Sequence, residues 1–199
     1  MAAIEFWFDF SSPYAYFAAQ RIDEVAERHG RTAVWRPFLL GAAFKSTGMG
    51  PLLHMPLRGE YARHDWERIA RWTGTPYSLP DKFPYSGLQA SRAFYWLDAQ
   101  DPELARRFAR RVFRAYFADG IDPTTAEVVA DLAAAEGVDR EAALAAMADP
   151  AIKERLKAET EGALARGIFG SPFMVADGEG FWGFDRIPML EAWLTSGGW

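Results

Sequence analysis

Asp9-Phe10-Ser11-Ser12-Pro13-Tyr14 joins two different patterns in this chain. Before it, residues 4–10 (Ile-Glu-Phe-Trp-Phe-Asp-Phe) are apolar and aromatic with few polar interruptions, as a buried strand would be. After it, Tyr14, Phe17, Ala18, Ile22, Val25 and Ala26 recur on one face at helical spacing. Ser12 stands where a helix N-cap is needed, and Pro13 suits the first helical position. The spacing predicts one helix from Tyr14 to His29, stopped by Gly30. Such an N-terminus leaves backbone N–H groups free, and with the helix dipole they stabilise a nearby anion. A thiolate held there has its pKa lowered from a free value of roughly 8.5. A plain cap followed by proline explains the same Ser-Pro pair, so the motif needs support from elsewhere.

Working outward, residues 32–40 (Thr-Ala-Val-Trp-Arg-Pro-Phe-Leu-Leu) read as a second strand, with Pro37 near an edge or bend. A β-α-β start implies a parallel pair joined by a right-handed crossover. The middle is helical in period over residues 60–72, 91–99, 103–117, 126–136, 140–147 and 151–165. Strand patterns return at 173–176 and 181–184, with Asp177-Gly178-Glu179-Gly180 as the turn, and a last helix spans about 187–194. This order, β-α-β, a helical block, then β-β-α, predicts an α/β, thioredoxin-like fold. Residues 1–40 and 166–199 form its thioredoxin-like domain, and residues 41–165 form a helical insertion domain.

In that topology Phe169-Gly170-Ser171-Pro172-Phe173 falls where the fold keeps a cis proline. The residue before it offers its backbone N–H and C=O to a cysteinyl ligand in the manner of an added strand. Yet the chain contains no cysteine, which removes disulfides, protein thiolates and dithiol redox chemistry together. A thiol site without a thiol predicts a borrowed one.

Other signals exclude rather than propose. Gly178, Gly180 and Gly183 fit G-x-G-x-x-G, but too little chain follows for the rest of a dinucleotide fold, and a hairpin explains them better. Arg106, Arg107, Arg110, Arg111 and Arg114 lie opposite Leu104, Phe108, Val112, Phe113 and Phe117 on one helix, so they read as a solvated face. The net charge of -5 argues against nucleic acid. His29, His54 and His64 lack metal-ligand spacing, and no G-x-S-x-G elbow is present, so neither a metal nor a hydrolase triad is expected. No apolar run suits a bilayer and no signal peptide is visible at the start, so the expected compartment is the cytoplasm, away from membranes.

With these residues in hand, the chain resembles the 2-hydroxychromene-2-carboxylate isomerase family, related to kappa-class glutathione transferases and the DsbA-like thioredoxin branch. The resemblance rests on Asp9-Phe10-Ser11-Ser12-Pro13-Tyr14, Phe44-Lys45-Ser46-Thr47-Gly48, Phe169-Gly170-Ser171-Pro172 and Trp182-Gly183-Phe184-Asp185-Arg186. It implies that glutathione is the cofactor and Ser12 the catalytic residue, hydrogen-bonded to its sulfur. It implies that Ser171 and Pro172 pair with the glutathione backbone. Asp185 and Arg186, with Gly183 and Phe184, would hold the γ-glutamyl end. Lys45, His54 and Phe83 match positions around a small aromatic carboxylate substrate, and a homodimer is implied. The chain departs from the family pattern at Met49, where Asn is expected, at His54, where an amide is usual, and at Arg58 of Pro56-Leu57-Arg58-Gly59, where Lys is usual. Arg and Lys differ in donor geometry. A kappa-like transferase and a non-catalytic cysteine-less binding protein remain as alternatives.

Overall fold

The computed structural model describes residues 2–199, and its four strands lie in the order β2-β1-β3-β4. The strands are β1 (Ile4–Phe8), β2 (Ala33–Pro37), β3 (Phe173–Ala176) and β4 (Glu179–Trp182). β1 runs parallel to β2, with Ile4 opposite Ala33, and antiparallel to β3, with Phe6 opposite Met174. β3 and β4 form an antiparallel hairpin with Met174 opposite Phe181. Its turn is shorter than the spacing suggested. Asp177 (φ 54°) and Gly178 (φ 88°) make it alone, both in the left-handed region that a two-residue hairpin loop demands. Gly178 and Gly180 therefore serve a hairpin.

The ten helices among the described residues are α1 (Pro13–Ala19), α2 (Ile22–Arg28), α3 (Leu40–Thr47), α4 (Arg58–Thr73), α5 (Leu88–Asp98), α6 (Pro102–Phe117), α7 (Ala126–Ala134), α8 (Arg140–Ala148), α9 (Pro150–Ala165) and α10 (Ile187–Ser196). Those of the middle block begin or end within three residues of the sequence expectation. The single helix expected from Tyr14 to His29 is instead two. Arg110 of α6 donates to the Ala19 carbonyl at 3.2 Å, which draws that acceptor out of the helical ladder at the break. Helix α3 and a 3-10 turn at Leu52–His54 were not expected from the pattern.

Phe6 and Phe8 face one side of the sheet and Trp7 the other, as strand alternation requires. Both faces are covered, which explains why β1 carries so few polar residues. On the larger side, Phe8, Phe10 and Tyr16 pack around Phe113 of α6 at ring distances of 5.6, 5.1 and 6.1 Å. The sheet and the helical block thus share one core. On the smaller side, Trp7 packs with Phe38, Ala43, Ala163 and Ile168.

The arginine face of α6 is not simply solvated. Arg106 and Arg110 both reach Asp23 of α2, Arg107 and Arg111 both reach Glu136 at 3.4 and 2.5 Å, and Arg114 pairs with Asp119. Acids on neighbouring elements neutralise this face. Among the described residues, no helix is long and apolar enough to cross a membrane.

A candidate active site between two serines

Ser12 leaves β1 in an extended conformation (φ -91°, ψ 115°) and caps α1, accepting from the Ala15 N–H at 3.2 Å. Its hydroxyl then has one proton to give, and gives it to the carbonyl of Ser171 at 2.8 Å. Ser171 is joined to Pro172 by a cis peptide bond. The Ser171 hydroxyl returns the contact by accepting from the Asp9 N–H at 2.8 Å. Residues 159 positions apart are therefore locked together, with Ser12 6% and Ser171 8% exposed.

Glycines let the second segment come this close. A Cβ at Gly170 would fall 2.0 Å from the Trp182 indole nitrogen, so only glycine fits between the proline loop and β4. Gly183 takes φ 109° and donates to the Pro172 carbonyl at 3.0 Å, turning the chain toward Phe184, Asp185 and Arg186. Phe184 is buried 6.0 Å from the Phe17 ring of α1. Asp185 and Arg186 are exposed and paired with each other at 2.8 Å.

Beneath the serines lies Asp9, 5% exposed. One carboxyl oxygen accepts from both the N–H and the hydroxyl of Ser11 (2.8 and 2.7 Å), and the other accepts from the Leu40 N–H at 2.8 Å. Burial pushes this carboxyl above the ordinary carboxylate range, against the pull of those hydrogen bonds. Tyr14, two residues beyond Ser12, donates to Asp65 of α4 at 2.9 Å. Burial raises its phenol far above the usual value, and the negative charges of Asp65 and Asp185 add to this.

The substrate positions are less tightly gathered. Phe83 is half-buried, 5.5 Å from the Trp66 ring, which lies 6.0 Å from that of Tyr14, so an aromatic wall runs from the loop at Phe83 to the start of α1. Lys45 on α3 and His54 on the 3-10 turn are both exposed. Open depressions of about 400 and 300 Å³ are lined instead by Leu39, Leu88, Arg92 and α9 residues, and by Trp7, Arg36 and α9 residues; none of the assigned positions contributes. The role of Asp9 was invisible in the sequence because Leu40 is 31 positions away. Trp66 carried no signal beyond a helical apolar position.

Comparison with known proteins identifies the fold and the family. The family described as "DSBA-like thioredoxin domain" matches residues 3–195. The 2-hydroxychromene-2-carboxylate isomerase of Pseudomonas putida is 30% identical over 191 residues, covering 95% of this chain and 92% of that protein. "Glutathione s-transferase kappa 2" of Caenorhabditis elegans is 29% identical over 211 residues, covering 96% and 91%. A solved 2-hydroxychromene-2-carboxylate isomerase superposes with a TM-score of 0.87 at 28% identity, covering 98% of this chain and 95% of that one. The chain belongs to the DsbA-like thioredoxin-fold proteins and, within them, to the 2-hydroxychromene-2-carboxylate isomerase family of enzymes.

Proposed function

We propose that this enzyme is a glutathione-dependent cis-trans isomerase, interconverting 2-hydroxychromene-2-carboxylate and trans-o-hydroxybenzylidenepyruvate. The observation that carries this reading is the 2.8 Å bond from the Ser12 hydroxyl to the Ser171 carbonyl, in a chain with no cysteine. Once the hemiketal C–O bond of the ring has opened to the ketone and phenol, glutathione, when bound, would supply a thiolate that adds reversibly to the conjugated double bond, allows rotation about the resulting single bond, and leaves again without net redox change.

The residues present fit such a ligand. The Ser171 carbonyl is held at the rim of the cap by a hydroxyl that can rotate. A ligand N–H pairing with that carbonyl replaces the Ser12 proton and frees it to donate to sulfur. The acceptor side of Ser12 stays on the Ala15 N–H, so the exchange leaves the cap intact. Ser12 is then the catalytic residue, stabilising sulfur both as it attacks and as it departs. Ser171 and Pro172 would align the glutathione backbone. Asp185 and Arg186, on the turn made by Gly183 and Phe184, offer an acceptor and a guanidinium to the amine and carboxylate of its γ-glutamyl end. Lys45 would meet the substrate carboxylate as a point charge, with Phe83 and His54 beside the ring. This reading places the enzyme in the cytosol, where reduced thiols are maintained, as a homodimer that light scattering would reveal.

The test is incubation of the pure protein with glutathione and the chromene carboxylate, followed by product analysis. A trans isomer free of sulfur is expected. A stable thioether would favour the second reading, a kappa-like transferase, which the 29% identity to the Caenorhabditis elegans protein keeps in view. Calorimetry separates both from a non-catalytic holder, for which glutathione binding would not depend on Ser12.

A further inference from the structure

Helix α3 has no cap of its own. Its N-cap residue is Leu39, whose side chain cannot accept a hydrogen bond, and the first helical N–H, that of Leu40, goes to the Asp9 carboxyl at 2.8 Å. The Leu39 N–H goes equally far afield, to Thr160 of α9 at 3.2 Å. Helices normally find this acceptor within a few residues. Here it comes from the strand end that also carries the cap of α1 and, through the Asp9 N–H, the hydroxyl of Ser171. The loop at Gly87 closes over it, since a Cβ there would lie 3.5 Å from the carboxyl.

We infer that Asp9 is a positioning residue, tying the helix that carries Lys45 to the two serines through its bond to Leu40. Lys45 is five residues beyond Leu40, about 8 Å along the helix axis, so a small tilt at the anchored end displaces its ammonium. The two carboxyl oxygens divide the labour. One fixes Ser11 and with it the entry to α1; the other fixes α3. The distance between the sulfur cradle and the substrate carboxylate is thereby set by one rigid group. The Lys45 part of this inference rests on the proposed isomerase reading; the coupling of Asp9 to α3 does not.

Asp9→Asn tests it. The amide oxygen is favoured on the side with two donors, at Ser11, which turns the amide N–H toward the Leu40 N–H and abolishes the cap. Hydrogen exchange should quicken across Leu40–Thr47 while β1 and α5 keep their protection. The KM for the aromatic carboxylate should rise roughly three- to ten-fold, the effect of one lost cap, with glutathione affinity and kcat within about two-fold. Leu40→Pro is the independent variant. Proline is well suited to the first helical position, and here it removes the N–H together with part of the Leu40 side chain at the edge of the smaller core. The same KM rise is expected with the Ser11 bonds untouched. Unchanged exchange in α3, or equal losses in kcat and both affinities in both variants, would overturn the inference. Absence of turnover by the wild type would instead defeat the isomerase reading, and the exchange result would then decide the coupling alone.

Discussion

The Ser12 hydroxyl has one proton and, in the proposed mechanism, two claimants for it, the Ser171 carbonyl and an incoming sulfur. Only the second matters to chemistry, and a single donor to a developing anion is worth on the order of 2.7–4 kcal/mol. Ser12→Ala should therefore lower kcat about 10²- to 10³-fold, measured as glutathione-dependent isomerisation; turnover at the wild-type rate would remove Ser12 from the mechanism. Asp9 makes a prediction of opposite character. Its carboxyl is raised in the folded state by burial, so the folded chain holds that proton to a higher pH than the unfolded chain. Its contribution to stability is then greatest below the ordinary carboxylate range and is lost as pH rises through the raised folded value. Thermal melts of wild type and Asp9→Asn, followed from the ordinary carboxylate range upward in pH, should diverge in slope, with the asparagine variant the flatter.

Among elements, α6 shows how a charged face can be structural. Asp23 of α2 accepts from the Trp35 indole at 3.0 Å and from Arg106 at 3.4 Å, and also pairs with Arg110. Arg110 meanwhile lies 5.0 Å from the Trp35 ring centroid and holds the Ala19 carbonyl. Removing the shared acid leaves the indole N–H of a buried tryptophan without its acceptor and two guanidinium groups competing for water. Asp23→Ala should cost about 2 kcal/mol in chemical denaturation, and a change under 0.5 kcal/mol would mean that the network adds no more than an ordinary surface pair. The break between α1 and α2 belongs to this network. It leaves α1 seven residues long, so the proposed sulfur site would rely on the oriented Ser12 hydroxyl and first-turn N–H groups more than on a long helix dipole.

At the scale of the whole molecule, residues 1–40 with 166–199 supply the sheet, and residues 41–165 supply most of the helices. We propose that these two parts fold as one cooperative unit, because Phe113 of the helical block packs directly on Phe8 and Phe10 of the sheet. Phe113→Ala should cost about 3–5 kcal/mol, and it should shift the unfolding of helix and of aromatic packing together, followed by far- and near-ultraviolet circular dichroism. Two separated transitions would show that the parts fold independently.

Much of this was legible in the chain. β1, β3, the middle helices and the Ser12 cap follow from local period and capping chemistry, which act over a few residues. The absence of cysteine likewise fixes what the protein cannot do by itself. Tertiary structure decided the rest: the split of the first helix by Arg110, the existence of α3, the neutralised arginine face and the place of Asp9 at the centre of the site. Each depends on a hydrogen bond or ion pair between residues far apart in sequence. A pattern of neighbours carries no record of which distant donor will arrive, so only folding brings Asp9 to Leu40 and Ser12 to Ser171.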